Sequence, residues 1–391
     1  VHNLPYGVFV PGAGGQPAVG VRVEDRVLDL ARAERLRLLD AAGTFQTPSL
    51  NAFMALGSGA WTAVRQRLTE LLTDPGFRPD VEPLLVPLDG LAMRMPFEVC
   101  DYVDFYSSEE HATNLGRMLR PGTPPLQPNW KHLPVGYHGR AGTVVVSGTP
   151  IVRPSGQRMP PGSETPVYGP TQRLDIEAEV GFVVGRSSTM GVPLSTSDFA
   201  EHVFGVVLVN DWSARDIQAW EYRPLGPFLG KSFATTISPW VVPLAALDPA
   251  RVPAPEQDPP VLPYLTEVDR HGYDIRIEVC WNGTVVSRPP YSRMYWTPAQ
   301  QLAHLTTNGA SVRTGDLYAS GTVSGPARGQ SGSFIELTMG GREPVTLDGG
   351  AVRTFLEDGD TVTISATAPG PDGGLIGLGE ATGRIVAPGQ R

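Results

Sequence analysis

Apolar positions along this chain repeat at two periods, and the change of period divides it. Over residues 1–47, short β-like runs (7–10, 19–23 and 27–30) alternate with glycine turns, which is the pattern of a small barrel. From 61 to 72 the apolar positions Trp61, Val64, Leu68 and Leu71 recur at helical spacing and predict one core-facing helix. Residues 79–87, bounded by prolines, break the pattern and read as a connection into a second, larger unit, with the boundary near residue 95. Beyond it the chain is β-rich, with strands predicted at 143–146, 176–184, 204–209, 275–279, 334–337 and 362–364. Two helices are signalled there. One spans 197–202, and the other has Thr297 as N-cap, Pro298 at its first position and Gly309 just past its end. Residues 253–263 form a polar, proline-rich loop, and no fixed-period repeat is present. The fold class is therefore mainly β.

The stretch 204–236, FGVVLVNDWSARDIQAWEYRPLGPFLGKSFATT, organises the rest. Val206–Val209 reads as a buried strand that stops at Asn210-Asp211, two polar side chains at the end of a dry element. Ser213 and Asp216, three apart, suit a helix start. On that helix Arg215, Gln218 and Tyr222 share one face, and the turn RPLGPFLGK brings Lys231 and Thr235 back toward them.

Two other segments carry chemistry. In LDIEAEV, Asp175, Glu177 and Glu179 fall on one strand face, which is ordinarily a solvated face. Here the acids run straight into VGFVV, a segment that wants burial. Carboxylates at this spacing also repel unless a cation sits between them. A hard divalent ion with oxygen ligands, Ca²⁺ or Mg²⁺, removes that repulsion, and Asp211 and Asp104 are natural partners from other strand ends. In DYVDFYSSEEHATNLG, one polar loop holding Ser107, Ser108, Glu109 and Glu110 supplies Asp104, Tyr106 and His111. An imidazole beside a divalent ion can take a proton from water if a carboxylate orients its other nitrogen, and spacing alone does not choose that carboxylate. His132 and His138, flanking LPVGYHGR, read as turn or structural residues.

Composition narrows the field. The 391 residues carry a net charge of −9 and no Lys/Arg run, which argues against nucleic acid and anionic membranes as partners. Forty-five glycines and 39 prolines favour short strands joined by many turns. No apolar stretch reaches membrane-spanning length and no signal-peptide pattern opens the chain; the first residue is Val, so a few residues are expected to be missing ahead of it. Cys100 and Cys280 make neither a disulfide framework nor a zinc spacing, so a reducing, cytoplasmic setting is expected and the site must use oxygen and nitrogen groups. There is no G-x-S-x-G elbow or P-loop, and the glycines of GLIGLGEATG do not fit dinucleotide spacing.

The segments DFYSSEEHATN, PNWKHLPVGYHGRAGTVVVSGTP, LDIEAE, FGVVLVNDWSARDIQAWEYRPLGPFLGKSFATTISPWVVP and YASGTVSGP, in this order and after HNLPYGVF at 2–9, resemble the fumarylacetoacetate hydrolase family. The resemblance spans nearly the whole chain. It implies a small SH3-like N-terminal barrel (1–95), then a larger mixed β-rich roll (96–391) and a homodimer. It also implies metal-dependent hydrolysis of the carbon–carbon bond of 4-fumarylacetoacetate to fumarate and acetoacetate, the last step of tyrosine and phenylalanine breakdown. By the same resemblance Asp104, Glu177, Glu179 and Asp211 would bind Ca²⁺. His111 would be the general base, oriented by Glu336, and Arg215, Gln218 and Lys231 would stabilise the oxyanion. Tyr106, Arg120, Tyr137, Tyr222 and Thr322 would contact substrate. A second, Mg²⁺ site would use the Asp211 carboxylate with groups from Trp212, Lys231 and the turn holding Thr235. The chain departs from the family at Ala234, where Gly is usual, in the loop 327–331, and in PGTPPLQP after Arg120, which replaces a charged version. Two rival readings are an acylpyruvate hydrolase or other keto-acid decarboxylase or isomerase of the same superfamily, and a calcium-dependent binding module without turnover.

Overall fold

Two strands with no exposed residue form the centre of the molecule, whose computed structural model describes residues 2–12 and 14–389. Val203–Asp211 is buried at all nine positions and runs antiparallel to Ala178–Val184, buried at all seven. Continuous apolar runs of this kind are what a strand covered on both faces requires. They lie within a thirteen-stranded sheet. On one side follow Leu317–Ala319, Tyr102–Phe105 and Gly136–His138; on the other, Trp240–Pro243 and then the N-terminal strands Tyr6–Val10, Ala18–Val23 and Arg26–Asp29.

The three short N-terminal runs are thus strands, but they do not close on themselves alone. Tyr6 pairs with Val241 and Gly7 with Trp240, so the N-terminal strands continue the large sheet. The segment 79–87 is not merely a connection. It holds a helical turn, Arg78–Val81, and a strand, Leu85–Pro87, that pairs with Arg26–Asp29. The predicted helix is Ser58–Thr73, burying Val64, Leu68 and Leu71.

A second sheet of five strands includes Arg276–Trp281, Thr361–Pro369 and Leu375–Val386. Its inward residues Ile277, Val279, Trp281, Val362, Ile364 and Leu378 share one core with Val180, Phe182, Val206 and Leu208 of the large sheet. Every second residue of Thr361–Pro369 is buried over most of its length, as a sheet with one dry face demands. The helix Pro298–Thr306 has the expected Thr297 N-cap, which Gln300 closes into a capping box, and Gly309 follows it at φ +90°.

Four predicted elements differ, each for a physical reason. Residues 334–337 form a helical turn, not a strand: Phe334 stacks on Trp281 at 4.0 Å between ring centroids, and a run of four residues has no period to tell the two apart. The strand at 176–184 is interrupted, pairing as Leu174–Asp175 and Ala178–Val184, with Ile176 and Glu177 in the break. Ser213 and Asp216 do not cap the helix Arg215–Glu221, whose N-cap is Ala214. Ser213 instead lies in a two-residue strand paired with Leu174–Asp175, and Asp216 accepts from the Gln172 amide at 2.9 Å and from the Thr171 hydroxyl. The segment with His111 is a helix, Glu109–Leu119, N-capped by Ser108, rather than a loop.

Among the described residues no helix is long and apolar enough to cross a membrane. Gly321 joins the sheet to the site. Its φ is +78°, and a β-carbon there would lie 2.2 Å from the Phe105 carbonyl oxygen. Gly321→Ala is expected to destabilise the fold by roughly 2–4 kcal/mol, measured by urea unfolding; a loss within about 0.5 kcal/mol would show that this turn tolerates a side chain.

Candidate active site at the strand ends

Neighbouring strands that end together bring their last side chains together. Asp104 lies on Tyr102–Phe105, Glu179 on Ala178–Val184 and Asp211 at the end of Val203–Asp211, while Glu177 sits in the break before Ala178. All four are buried, and one oxygen from each lies within 4.8 Å of the others. Lys231 donates to Glu177 at 2.5 Å and to Asp211 at 2.7 Å. Tyr137 donates to Asp211 at 2.9 Å, and the Thr235 hydroxyl lies 3.3 Å from its other oxygen. Among the described residues, Asp104 Oδ1 and both oxygens of Glu179 have no hydrogen-bond partner.

Electrostatics shows what the cluster lacks. Burial first, and the neighbouring carboxylates second, push the Asp104 and Glu179 carboxyls far above the usual range, and burial also raises Asp211. Burial opposes the charge of Glu177 too, but Lys231 and Arg215 outweigh it and hold this carboxyl well below the usual range. Partnerless buried carboxylate oxygens in a set this tight are the donor set of a hard divalent cation. The residues therefore fit a bound metal. Asp175 is not part of the set: its side chain turns to Arg215, which donates to it from Nε at 2.7 Å.

His111, third in its helix and 2 % exposed, places Nδ1 2.6 Å from Glu336 Oε2. Burial alone would raise the Glu336 carboxyl. Instead His111 and hydrogen bonds from Asn114 (3.0 Å) and Ser333 (2.7 Å) keep it below its ordinary value, and Ser324 (3.0 Å) adds another. An ionised Glu336 can only accept, so the proton of this hydrogen bond sits on Nδ1, and Nε2 is the ring nitrogen not engaged by Glu336. The Tyr106 ring meets the imidazole edge-on at 5.3 Å, and burial holds its hydroxyl protonated.

Arg215 is fixed on two arms and free on the third. Besides the Nε bond to Asp175, Nη1 donates to Glu177 at 2.7 Å and to Gln218 at 3.2 Å, while Nη2 is buried with no partner. The Thr322 hydroxyl is likewise buried and unpartnered. Arg120, just past the end of the His111 helix, donates to the Pro125 carbonyl at 2.9 Å and leaves Nε unpartnered. Tyr222 ends the Arg215 helix, half-buried under the Arg223 guanidinium, and among the described residues no side-chain hydrogen bond ties it to the cluster. The Trp212 indole is buried and donates to Thr236 at 2.8 Å, so only its backbone can face an ion. Ala234 is not among the positive-φ residues, so the position where glycine is usual asks for no left-handed backbone. Of the residues expected at the site, Asp104, Glu177, Glu179, Asp211, Tyr137, Arg215, Gln218, Lys231 and Thr235 are joined by the acid cluster or by hydrogen bonds to it. Tyr106, His111 and Glu336 form a second group, and among the described residues Arg120, Thr322 and Tyr222 make no side-chain hydrogen bond to either. Asn114, Ser324 and Ser333 escaped sequence reasoning: Asn114 lies 222 residues from Glu336 with nothing local to mark the pairing, whereas Ser333, three residues before Glu336, offers a local Ser-x-x-Glu spacing that the strand reading of 334–337 hides.

Residues 2–96 match the family model described as fumarylacetoacetase N-terminal, and residues 101–386 match that described as fumarylacetoacetate (FAA) hydrolase C-terminal. The chain is 47 % identical to fumarylacetoacetase of Homo sapiens over 401 residues, covering 99 % of this chain and 96 % of that one. Among solved structures, a fumarylacetoacetate hydrolase from psychrophilic Exiguobacterium antarcticum aligns with TM-score 0.58 at 18 % identity, over 98 % of this chain and 99 % of that one. Maleylpyruvate hydrolase from Sphingobium sp. SYK-6, in complex with manganese(II) and pyruvate, aligns with TM-score 0.52 at 14 % identity, over 98 % and 99 % of the two chains. At such identities these two structures speak for the fold.

Carboxyls raised in the folded state stabilise it below the ordinary carboxylate range and lose that contribution as pH climbs through the raised values. Asp104 and Glu179 are of this kind. Glu177 and Glu336, held low, contribute with the opposite sign, but their contribution is complete above the ordinary range. Chelator-treated protein is therefore expected to melt at a lower temperature at about pH 8 than at about pH 5. Saturating Ca²⁺ should abolish most of that difference, read by differential scanning fluorimetry; a metal-free melting temperature that does not fall between these pH values contradicts the burial of uncompensated acids.

Proposed function

The chain belongs to the fumarylacetoacetate hydrolase family, and from that premise we propose that its buried cluster hydrolyses 4-fumarylacetoacetate to fumarate and acetoacetate. The observation that carries this reading is the buried 2.6 Å His111–Glu336 pair.

A carbon–carbon bond between two carbonyls can break hydrolytically because the departing carbanion is an enolate. His111 accepts a proton from water at Nε2 while Glu336 holds the Nδ1–H. The water oxygen bonds to the fumaroyl carbonyl carbon, and negative charge gathers on that carbonyl's oxygen. Arg215 Nη2, with Gln218 and Lys231, supplies donors for it, and each such donor is commonly worth about 3 kcal/mol. As the carbonyl re-forms, the bond to the acetoacetate carbon breaks. The proton on His111 then returns to the enolate carbon, so one water is consumed and two acids leave. Asp104, Glu177, Glu179 and Asp211 would hold a divalent cation, which we assign as Ca²⁺ and which would supply Lewis acidity to the site. A second ion, Mg²⁺, would take the Asp211 carboxylate with groups from Trp212, Lys231 and the turn of Thr235.

Arg120 pairs with a substrate carboxylate. Tyr106, Tyr137, Tyr222 and Thr322 line the substrate, a reading supported by the unpartnered atoms of Arg120 and Thr322. We place the domain boundary near residue 95 and the reaction at the end of tyrosine and phenylalanine breakdown. A cytoplasmic setting is supported by the unpaired thiols of Cys100 and Cys280. A homodimer is supported by the apolar side chains of Leu225, Phe228 and Leu229, exposed on one turn.

Wild-type protein given 4-fumarylacetoacetate should release fumarate and acetoacetate, separated by HPLC. His111→Ala should lower kcat by about 10³-fold and leave Ca²⁺ affinity within about twofold. Cleavage of acetylpyruvate but not fumarylacetoacetate, or full turnover by His111→Ala, defeats the reading.

A further inference from the structure

Asp175 is fully buried and belongs to neither the acid set nor the base pair, yet its hydrogen bonds go to Arg215, which holds Glu177, and to the turn that carries Glu336. Its Oδ2 accepts from Arg215 Nε at 2.7 Å and from the Ile335 amide at 3.0 Å. Its Oδ1 accepts from the Phe334 amide at 2.7 Å and from the Ile176 amide at 2.8 Å. Phe334 and Ile335 open the helical turn Phe334–Leu337, which carries Glu336. The first amides of any helical turn need acceptors from outside it, and the preceding side chain normally provides one. Here Ser333 makes no such bond, because its hydroxyl is spent on Glu336 itself. Asp175, 159 residues earlier, takes its place.

The same carboxylate therefore holds one end of each half of the chemistry. Through Nε it fixes the guanidinium whose Nη1 is bound to Glu177 and whose Nη2 is free. Through two amides it fixes the turn from which Glu336 reaches His111 at 2.6 Å. We propose that Asp175 is a positioning residue, setting the register between the Arg215 donor arm and the Glu336–His111 base. It touches no reacting atom. Its charge opposes that of Arg215, and its two oxygens match two divergent sets of N–H donors, which a neutral amide cannot do. The role presupposes the hydrolytic reading of the site.

Asp175→Asn keeps the shape but places an NH₂ against N–H donors on one side. A slip of about 1 Å between donor and base is enough to cost about 100-fold in rate. The expected result is a fall of about that size in kcat with KM within about threefold, and Ca²⁺ affinity close to wild type because all four ligands remain. Proton NMR adds a readout that loss of stability alone does not move. The proton held between His111 and Glu336 should resonate far downfield in wild type, and should shift or vanish in Asp175→Asn while the dispersed methyl signals persist. Asp175→Ser, smaller and leaving room for a water beside the same amides, should change kcat and the resonance in the same direction.

A kcat within about twofold of wild type, or a reduced kcat with the downfield signal unmoved, overturns the proposal. If neither variant folds, Asp175 belongs to the stability of the fold and the positioning role falls. Wild-type protein that fails to cleave fumarylacetoacetate overturns the catalytic reading instead, and the resonance still reports whether Asp175 places Glu336.

Discussion

Uncompensated negative charge in a dry pocket is the constraint on which this molecule depends. Asp104, Glu177, Glu179 and Asp211 are buried where a carboxylate has few ways to be satisfied, and Lys231 and Arg215 answer only part of them. The partnerless oxygens fall on Asp104 and Glu179, the two acids of the set to which no cationic side chain among the described residues donates. A buried charge without a partner costs far more than one surface ion pair returns. The arrangement is therefore stable only with a further cation or with protons on the acids.

The fold makes that pocket by ending strands together. The all-buried strands Val203–Asp211 and Ala178–Val184 cannot reach solvent along their length, so polar residues appear only where they stop. Gly321 lets the turn after Leu317–Ala319 press against the Phe105 carbonyl, a contact that any β-carbon would block. The helix Glu109–Leu119 leaves the neighbouring strand end within a few residues and carries His111 and Asn114 on one face toward Glu336. The strands bearing the acids and the turn bearing Glu336 share one core, and the helix bearing His111 packs on that turn through Leu115 against Ile335, which keeps their spacing rigid.

Much of this was legible in the residues. The apolar run before Asp211, the alternation of Glu177 and Glu179, and the Thr297–Pro298 start each have a local cause, and local causes can be read from sequence. What spacing alone could not show were the non-local partners, and only the family resemblance named Glu336 for His111. Glu336 meets His111 across 225 residues and Asp175 meets Phe334 across 159, and no spacing rule reports such pairs. The misread strand at 334–337 has the same origin, since a four-residue apolar segment takes its conformation from Trp281 and from its distant cap. Asp216 looked like a helix cap by position, but Thr171 and Gln172 claimed it. The break at Ile176–Glu177 was likewise hidden by an unbroken alternation, although it is what lets Glu177 face Lys231 and Arg215 together.

The central claim is that these four acids bind one divalent cation. Calorimetric titration of Ca²⁺ into chelator-stripped protein tests it most directly, alongside the variant Glu179→Gln, which removes one charge at the acid with no protein partner. The account predicts a saturable site in the wild-type chain, with affinity at least about 100-fold weaker in the variant. Equal affinity in the two proteins, or no saturable binding to either, would contradict it.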